Sequence, residues 1–145
     1  MRHPDPDTVS CLATLAAQGV SLGLLSNADE RTARAWSESP LRAHFRAVSF
    51  FHEIGAAKPD LVAYQRALQL LGAEPCETAF VGDGGAGELH GAWMAGFGLL
   101  VFMRGHVVRA GRCGAARLAE RRAGADIVVE RLTDLPEQLS VVRYP

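Results

Sequence analysis

The sequence predicts a three-layer α/β fold with a mainly parallel sheet, and three observations carry that expectation. Short apolar runs at 20–25, 47–51, 78–81, 99–102 and 127–129 alternate with stretches of helical spacing. Strands that alternate with helices form parallel sheets covered on both faces. Polar or glycine-rich turns follow three of the runs, at Ser26-Asn27, in the loop holding Lys58, and from Asp83 to Glu88. Such turns lie at the carboxyl ends of strands, where open α/β sheets hold their ligands.

Taken in order, Asp7 or Thr8 caps a first helix whose apolar positions Val9, Leu12, Ala13, Leu15 and Ala16 share one side, and Gly19 stops it. Val20 to Leu25 reads as a buried strand. Asp29 caps a helix from Glu30 to Glu38, and Pro40 limits its extension. Ala47 to Phe51 is the next strand. Leu61, Tyr64, Leu68 and Leu71 form the apolar stripe of a helix ended by Gly72. Thr78 to Val81 is a strand, Glu88 to Ala95 a helix and Leu99 to Phe102 a strand. A loop from Arg104 leads to a helix at Ala115 to Arg122, then a short strand at Ile127 to Val129 and a last helical turn from Asp134 to Leu139.

Composition bounds the function. The 145 residues suit a single domain over 1–145, with 48% hydrophobic and 21% charged residues. A net charge of -1 gives no electrostatic reason to expect nucleic acid or an anionic membrane as partner. No apolar run has membrane-spanning length and the amino end lacks a signal-peptide core, so the reading is cytoplasmic. Cys11, Cys76 and Cys113 are widely spaced and form no C-x-x-C pair, which supports neither a disulfide framework nor a zinc site.

The chemistry concentrates between Thr78 and Leu89, where an apolar run enters a turn holding Gly82, Gly84, Gly85 and Gly87 together with Asp83 and Glu88. Glycine lets backbone approach a ligand closely, and carboxylates are the hard oxygen donors that Mg²⁺ takes. Ser26 offers a hydroxyl, Asn27 a backbone N–H and Lys58 a cation. Leu24-Leu25-Ser26-Asn27, Lys58-Pro59-Asp60 and Val81-Gly82-Asp83-Gly84-Gly85-x-x-Glu88-Leu89, in this order, resemble motifs II, III and IV of the haloacid dehalogenase-like (HAD) hydrolase superfamily, phosphatase branch. The resemblance runs from Pro4 to Phe102. It implies a Rossmann-like core, Mg²⁺ as cofactor and a small phosphorylated metabolite as substrate. Ser26 and Lys58 would be catalytic, Ser26, Asn27 and Lys58 would bind substrate, and Asp83 would hold the metal. Glu88 would bind the metal's water shell or orient Lys58, and Gly82, Gly84 and Gly85 would shape the site.

One part of the pattern is absent from the sequence. The superfamily's nucleophile belongs to an Asp-x-Asp element after a central strand, and Asp5-Pro6-Asp7 matches only its letters, since no apolar run precedes it. Those residues read as a helix start. In the family that strand lies between those of motifs II and IV, so its loss implies a slot of about 9.6 Å, two strand spacings, with two open edges. A complementing N-terminal segment or a homo-oligomer could fill it, or the flanking strands could close up. The cap domain inserted between motifs I and II in many relatives is absent from the sequence as well.

Two other readings stand beside the phosphatase. One is a HAD-like domain without catalysis, serving as a binding module or as half of a split enzyme. The other takes Gly82-x-Gly84-x-x-Gly87 as a dinucleotide fingerprint, against which Asp83 and Glu88 would set negative charge beside a pyrophosphate. A dehalogenase has no evident use for the acid pair. The remaining conspicuous side chains read as structural: Trp36 and Trp93 as packing residues, His44, His52, His90 and His106 without ligand spacing, and Arg104, Arg109, Arg112, Arg117, Arg121 and Arg122 as a solvated face.

Overall fold

A computed structural model describes residues 4–111 and 113–141. The first helix, α1, spans Pro6–Ala17. It starts earlier than the sequence predicts because Asp5, not Asp7 or Thr8, is the N-cap: its carboxylate accepts from the Asp7 N–H, and Pro6 occupies the first turn, where no N–H is needed. The first strand, β1, is confined to Gly23–Ser26. Then come α2 (Glu30–Ser37), β2 (Ala47–Phe50), α3 (Phe51–Ile54), α4 (Leu61–Leu71), β3 (Ala79–Gly82) and α5 (Glu88–Met94). The carboxyl-terminal part holds β4 (Leu99–Met103), α6 (Arg104–Ala110), α7 (Ala115–Arg122), β5 (Ile127–Val129) and α8 (Leu135–Val141).

α6 corrects the loop expected after Arg104. Gly105 lowers local helix propensity, yet tertiary packing selects the helix. Gly105 is buried so tightly against the Glu130 carbonyl that a Cβ would overlap it, and Arg104 pairs with the Glu130 carboxylate at 2.7 Å. Gly111, at φ 66°, then ends the helix in the left-handed region.

Every strand pair is parallel, but the strands form two sheets, β1-β2 and β3-β4-β5. β1 and β3 do not pair, so closure of the two flanking strands does not occur among the described residues. The layers follow from the side-chain alternation of a strand. Leu100 and Phe102 of β4 join Tyr64, Phe80, Leu89, Ala92 and Val107 on one face, whereas Leu99 and Val101 join Cys11, Leu15, Val129 and Leu135 on the other. Leu25 of β1 packs against the first cluster and Leu22, just before β1, against the second, so both apolar clusters reach across the break in hydrogen bonding. Burial records the break: Leu99 to Phe102 of β4 are buried, whereas β1 has no buried residue and β3 only Phe80.

Two side-chain expectations change. Trp36 packs edge-on against Phe45, with ring centroids 5.4 Å apart, as a packing residue should. Trp93 is instead exposed and stacks on His90. Leu61 lies off the buried stripe of α4, and Ala63 takes a place in it. Among the described residues no helix is long and apolar enough to cross a membrane.

Candidate active site

The site forms where β1 and β3 end. Ser26 is the last residue of β1, and its hydroxyl accepts from the Ala28 N–H at 3.1 Å, turning the chain toward α2. Asn27 follows, and its side-chain amide brackets the backbone of Lys58: Oδ1 accepts the Lys58 N–H at 2.8 Å and Nδ2 donates to the Lys58 carbonyl at 3.0 Å. An amide carries both a donor and an acceptor, so one side chain fixes the 55–60 loop to the end of β1. The sequence gives no signal for this side-chain bridge, because it joins turns 31 residues apart.

From that fixed backbone Lys58 reaches across the Phe80 ring, its Nζ 5.7 Å from the centroid, to Glu88 Oε2 at 2.6 Å. Both side chains are nearly buried, at 14% and 7% exposure. Glu88 Oε1 accepts the Gly84 N–H at 3.0 Å, so the carboxylate ties Lys58 to the glycine turn. The start of α5 is held from below by Tyr64, whose hydroxyl donates to the Glu88 carbonyl at 2.8 Å. Burial, with the Glu88 charge adding to it, raises the Tyr64 phenol well above its ordinary range, which keeps it a proton donor.

The glycines of the turn have separate steric reasons. A Cβ on Gly82 would overlap Glu88 Oε1, and one on Gly84 would overlap the Arg121 carbonyl while sitting at φ 72°. Gly85 donates its N–H to Asp83 Oδ1 at 2.9 Å. Partial burial disfavours the Asp83 charge, but the Gly85 N–H and the nearby Arg121 guanidinium outweigh it and hold the carboxyl below its usual range. Asp83 is therefore ionised at neutral pH.

Arg121 is the residue the sequence reading missed. It is not part of a solvated face: it comes from α7 to place Nη1 3.6 Å from Asp83 Oδ1 and 3.3 Å from the Asp83 carbonyl. Arg104 and Arg109 instead engage Glu130, and Arg112 lies outside the described residues. Asp5 caps α1, the helix-start role expected of it.

Motifs II, III and IV thus meet in one chain of contacts, Asn27 to Lys58 to Glu88 to Gly84, with Asp83 beside it. A model of the haloacid dehalogenase-like hydrolase family matches residues 1–96. The chain belongs to that family. Among relatives of this HAD-like chain, the phosphoserine phosphatase of Thermus thermophilus is 34% identical over 92 residues, covering 63% of this chain and 37% of its own. A HAD phosphatase from Thermococcus onnurineus superimposes with a TM-score of 0.76 at 25% identity, over 97% of this chain and 60% of that one. The L-2-haloacid dehalogenase of Xanthobacter autotrophicus gives 0.72 at 24% identity, over 97% and 62%, and so shares the fold. The HAD-like chain therefore spans well under half of the phosphoserine phosphatase and about three-fifths of the two structures.

For a divalent cation, the donor set fits in a limited form. Both oxygens of Glu88 are engaged, by Gly84 and Lys58, which leaves Asp83, with a side chain 40% exposed, as the accessible carboxylate. Among the described residues no three His, Cys, Asp or Glu side chains gather as a metal cage. Mg²⁺ commonly binds through one or two carboxylates and completes its shell with water and phosphate oxygens, and Asp83 suits that mode.

Proposed function

We propose that this protein is a phosphatase-type HAD hydrolase acting on a small phosphate monoester, with Ser26, Asn27 and Lys58 facing the phosphoryl group and Asp83 holding Mg²⁺. The observation that carries this reading is the contact chain from Asn27 through Lys58 to Glu88, which gathers a cation, a hydroxyl and an acid turn at the ends of β1 and β3. Phosphoryl transfer is catalysed mainly by positioning and by neutralising charge. Lys58 contributes the positive charge, and its geometry is set from both ends, by Asn27 on its backbone and Glu88 on its ammonium. Ser26 and the Asn27 N–H contribute donors. When bound, Mg²⁺ supplies further neutralisation at the phosphoryl oxygens. Asp83 favours phosphoryl transfer over halide displacement, which has no use for a metal acid.

The nucleophilic carboxylate belongs, in this reading, to a strand that enters between β1 and β3. Support comes from the unpaired facing sides of the two strands and from the capping role of Asp5, which is engaged at the start of α1. The strand is supplied by a complementing segment, on this or a second polypeptide, and the assembly works in the cytoplasm. The noncatalytic reading of the isolated chain follows from the same observation.

The test is Mg²⁺-dependent hydrolysis of an aryl phosphate by the chain, alone and with an added segment carrying an apolar strand and Asp-x-Asp, with Asp83→Asn prepared in parallel. Hydrolysis only with the segment, lost in Asp83→Asn, is expected. Equal hydrolysis without the segment would reject an external nucleophile. If no turnover appears with the segment present, the phosphatase reading gives way to a binding role.

A further inference from the structure

Arg121 stands apart from the arrangement just described because it is a cation placed on the carboxylate assigned to a cation. Its contact is built from both sides. The last turn of α7 lies so close to the glycine turn that any Cβ on Gly84 would strike the Arg121 carbonyl, which fixes the backbone from which the guanidinium projects. Nη1 then sits 3.6 Å from Asp83 Oδ1 and 3.3 Å from the Asp83 carbonyl, with the side chain 32% exposed. Beside it opens a groove of about 410 Å³ between residues 84–87 and the Arg117, Glu120 and Arg121 side of α7. The groove gives the guanidinium a place to move, with the Glu120 carboxylate at its wall.

We infer that Arg121 competes with the divalent cation for Asp83: the guanidinium is the counter-ion of Asp83 when no metal is bound, and metal loading moves it off the carboxylate into the groove beside α7. This rests on the reading of Asp83 as the metal acid. Two cations cannot share one half-exposed carboxylate without mutual repulsion, and the guanidinium holds its position through an exposed-type pair that is weak enough to break.

The inference is tested by calorimetric titration of MgCl₂ into the protein, its Arg121→Gln and Asp83→Asn variants, and the double variant. Arg121→Gln is expected to bind Mg²⁺ more tightly, by up to about fivefold, the scale set by a partly exposed ion pair. Equal or weaker binding would overturn the competition and make Arg121 a support of the turn. In Asp83→Asn both the binding and the effect of Arg121→Gln should vanish. If Asp83→Asn binds as the parent does, or if neither the parent nor Arg121→Gln binds, the assignment of Asp83 fails and the inference falls with it. Should Arg121→Gln not fold, the parent still decides the question: the Arg121 guanidinium resonance, followed by NMR during the Mg²⁺ titration, should shift in step with occupancy. An unmoved resonance at saturation rejects displacement.

Discussion

At the residue scale the site depends on small groups that leave room for large ones. Gly82 lies under Glu88, and the carboxylate above it is held by Lys58 at 2.6 Å and by the Gly84 N–H at 3.0 Å. Gly82→Ala would force Glu88 out of both contacts. A loss of roughly 1–3 kcal/mol is expected, the usual cost of overpacking, read as a lower urea midpoint. An unchanged midpoint would mean that the Glu88 side chain relaxes freely, contrary to its near-complete burial. The sequence marks Gly82, Asp83, Gly84 and Glu88 as chemically notable because they follow an apolar run. It has no means of showing that Asn27 binds the Lys58 backbone or that Arg121 meets Asp83, since these contacts join residues 31 and 38 positions apart.

At the element scale, helix ends decide more than helix interiors. Asp5 caps α1, the helix that carries Cys11 and Leu15 into the core. Asp5→Ala should lower stability by about 1 kcal/mol, the typical worth of an N-cap, measurable as a fall in the thermal midpoint. Any Mg²⁺-dependent hydrolysis should persist in that variant, because Asp5 is occupied in capping; its loss without unfolding would identify Asp5 as a nucleophile. Several elements were legible from local pattern alone. α4 begins after Asp60 and ends at Gly72 as its stripe predicts, and α7 and β5 occupy the expected residues. α6 was not legible, because Gly105 is a poor helix residue whose value lies in its approach to Glu130.

At the scale of the whole molecule the sheet is interrupted between β1 and β3, while two apolar clusters, one on each face, reach across the interruption. Backbone groups facing the interruption have no ladder partner, whereas β4 is paired on both sides and buried. Amide hydrogen exchange should therefore be markedly slower in 99–102 than in 23–26, since protection follows the local cost of opening. Adding a strand-forming segment should raise protection in both β1 and β3. Protection in β1 equal to that in β4 without any addition would show that the slot is closed in solution.

What the sequence determined by itself is local and periodic: the alternation of apolar runs with helical stripes, the caps and glycine stops, and the three turns whose residue types suit phosphate and metal chemistry. These depend on neighbours within one turn or one strand, so a linear reading reaches them. Only the tertiary structure decided which turns touch, through Asn27, Glu88 and Arg121, and that β1 and β3 remain apart. Contacts of this kind arise from chain segments brought together by burial of a common core, and their geometry is set by packing at both ends, which no single stretch of sequence contains.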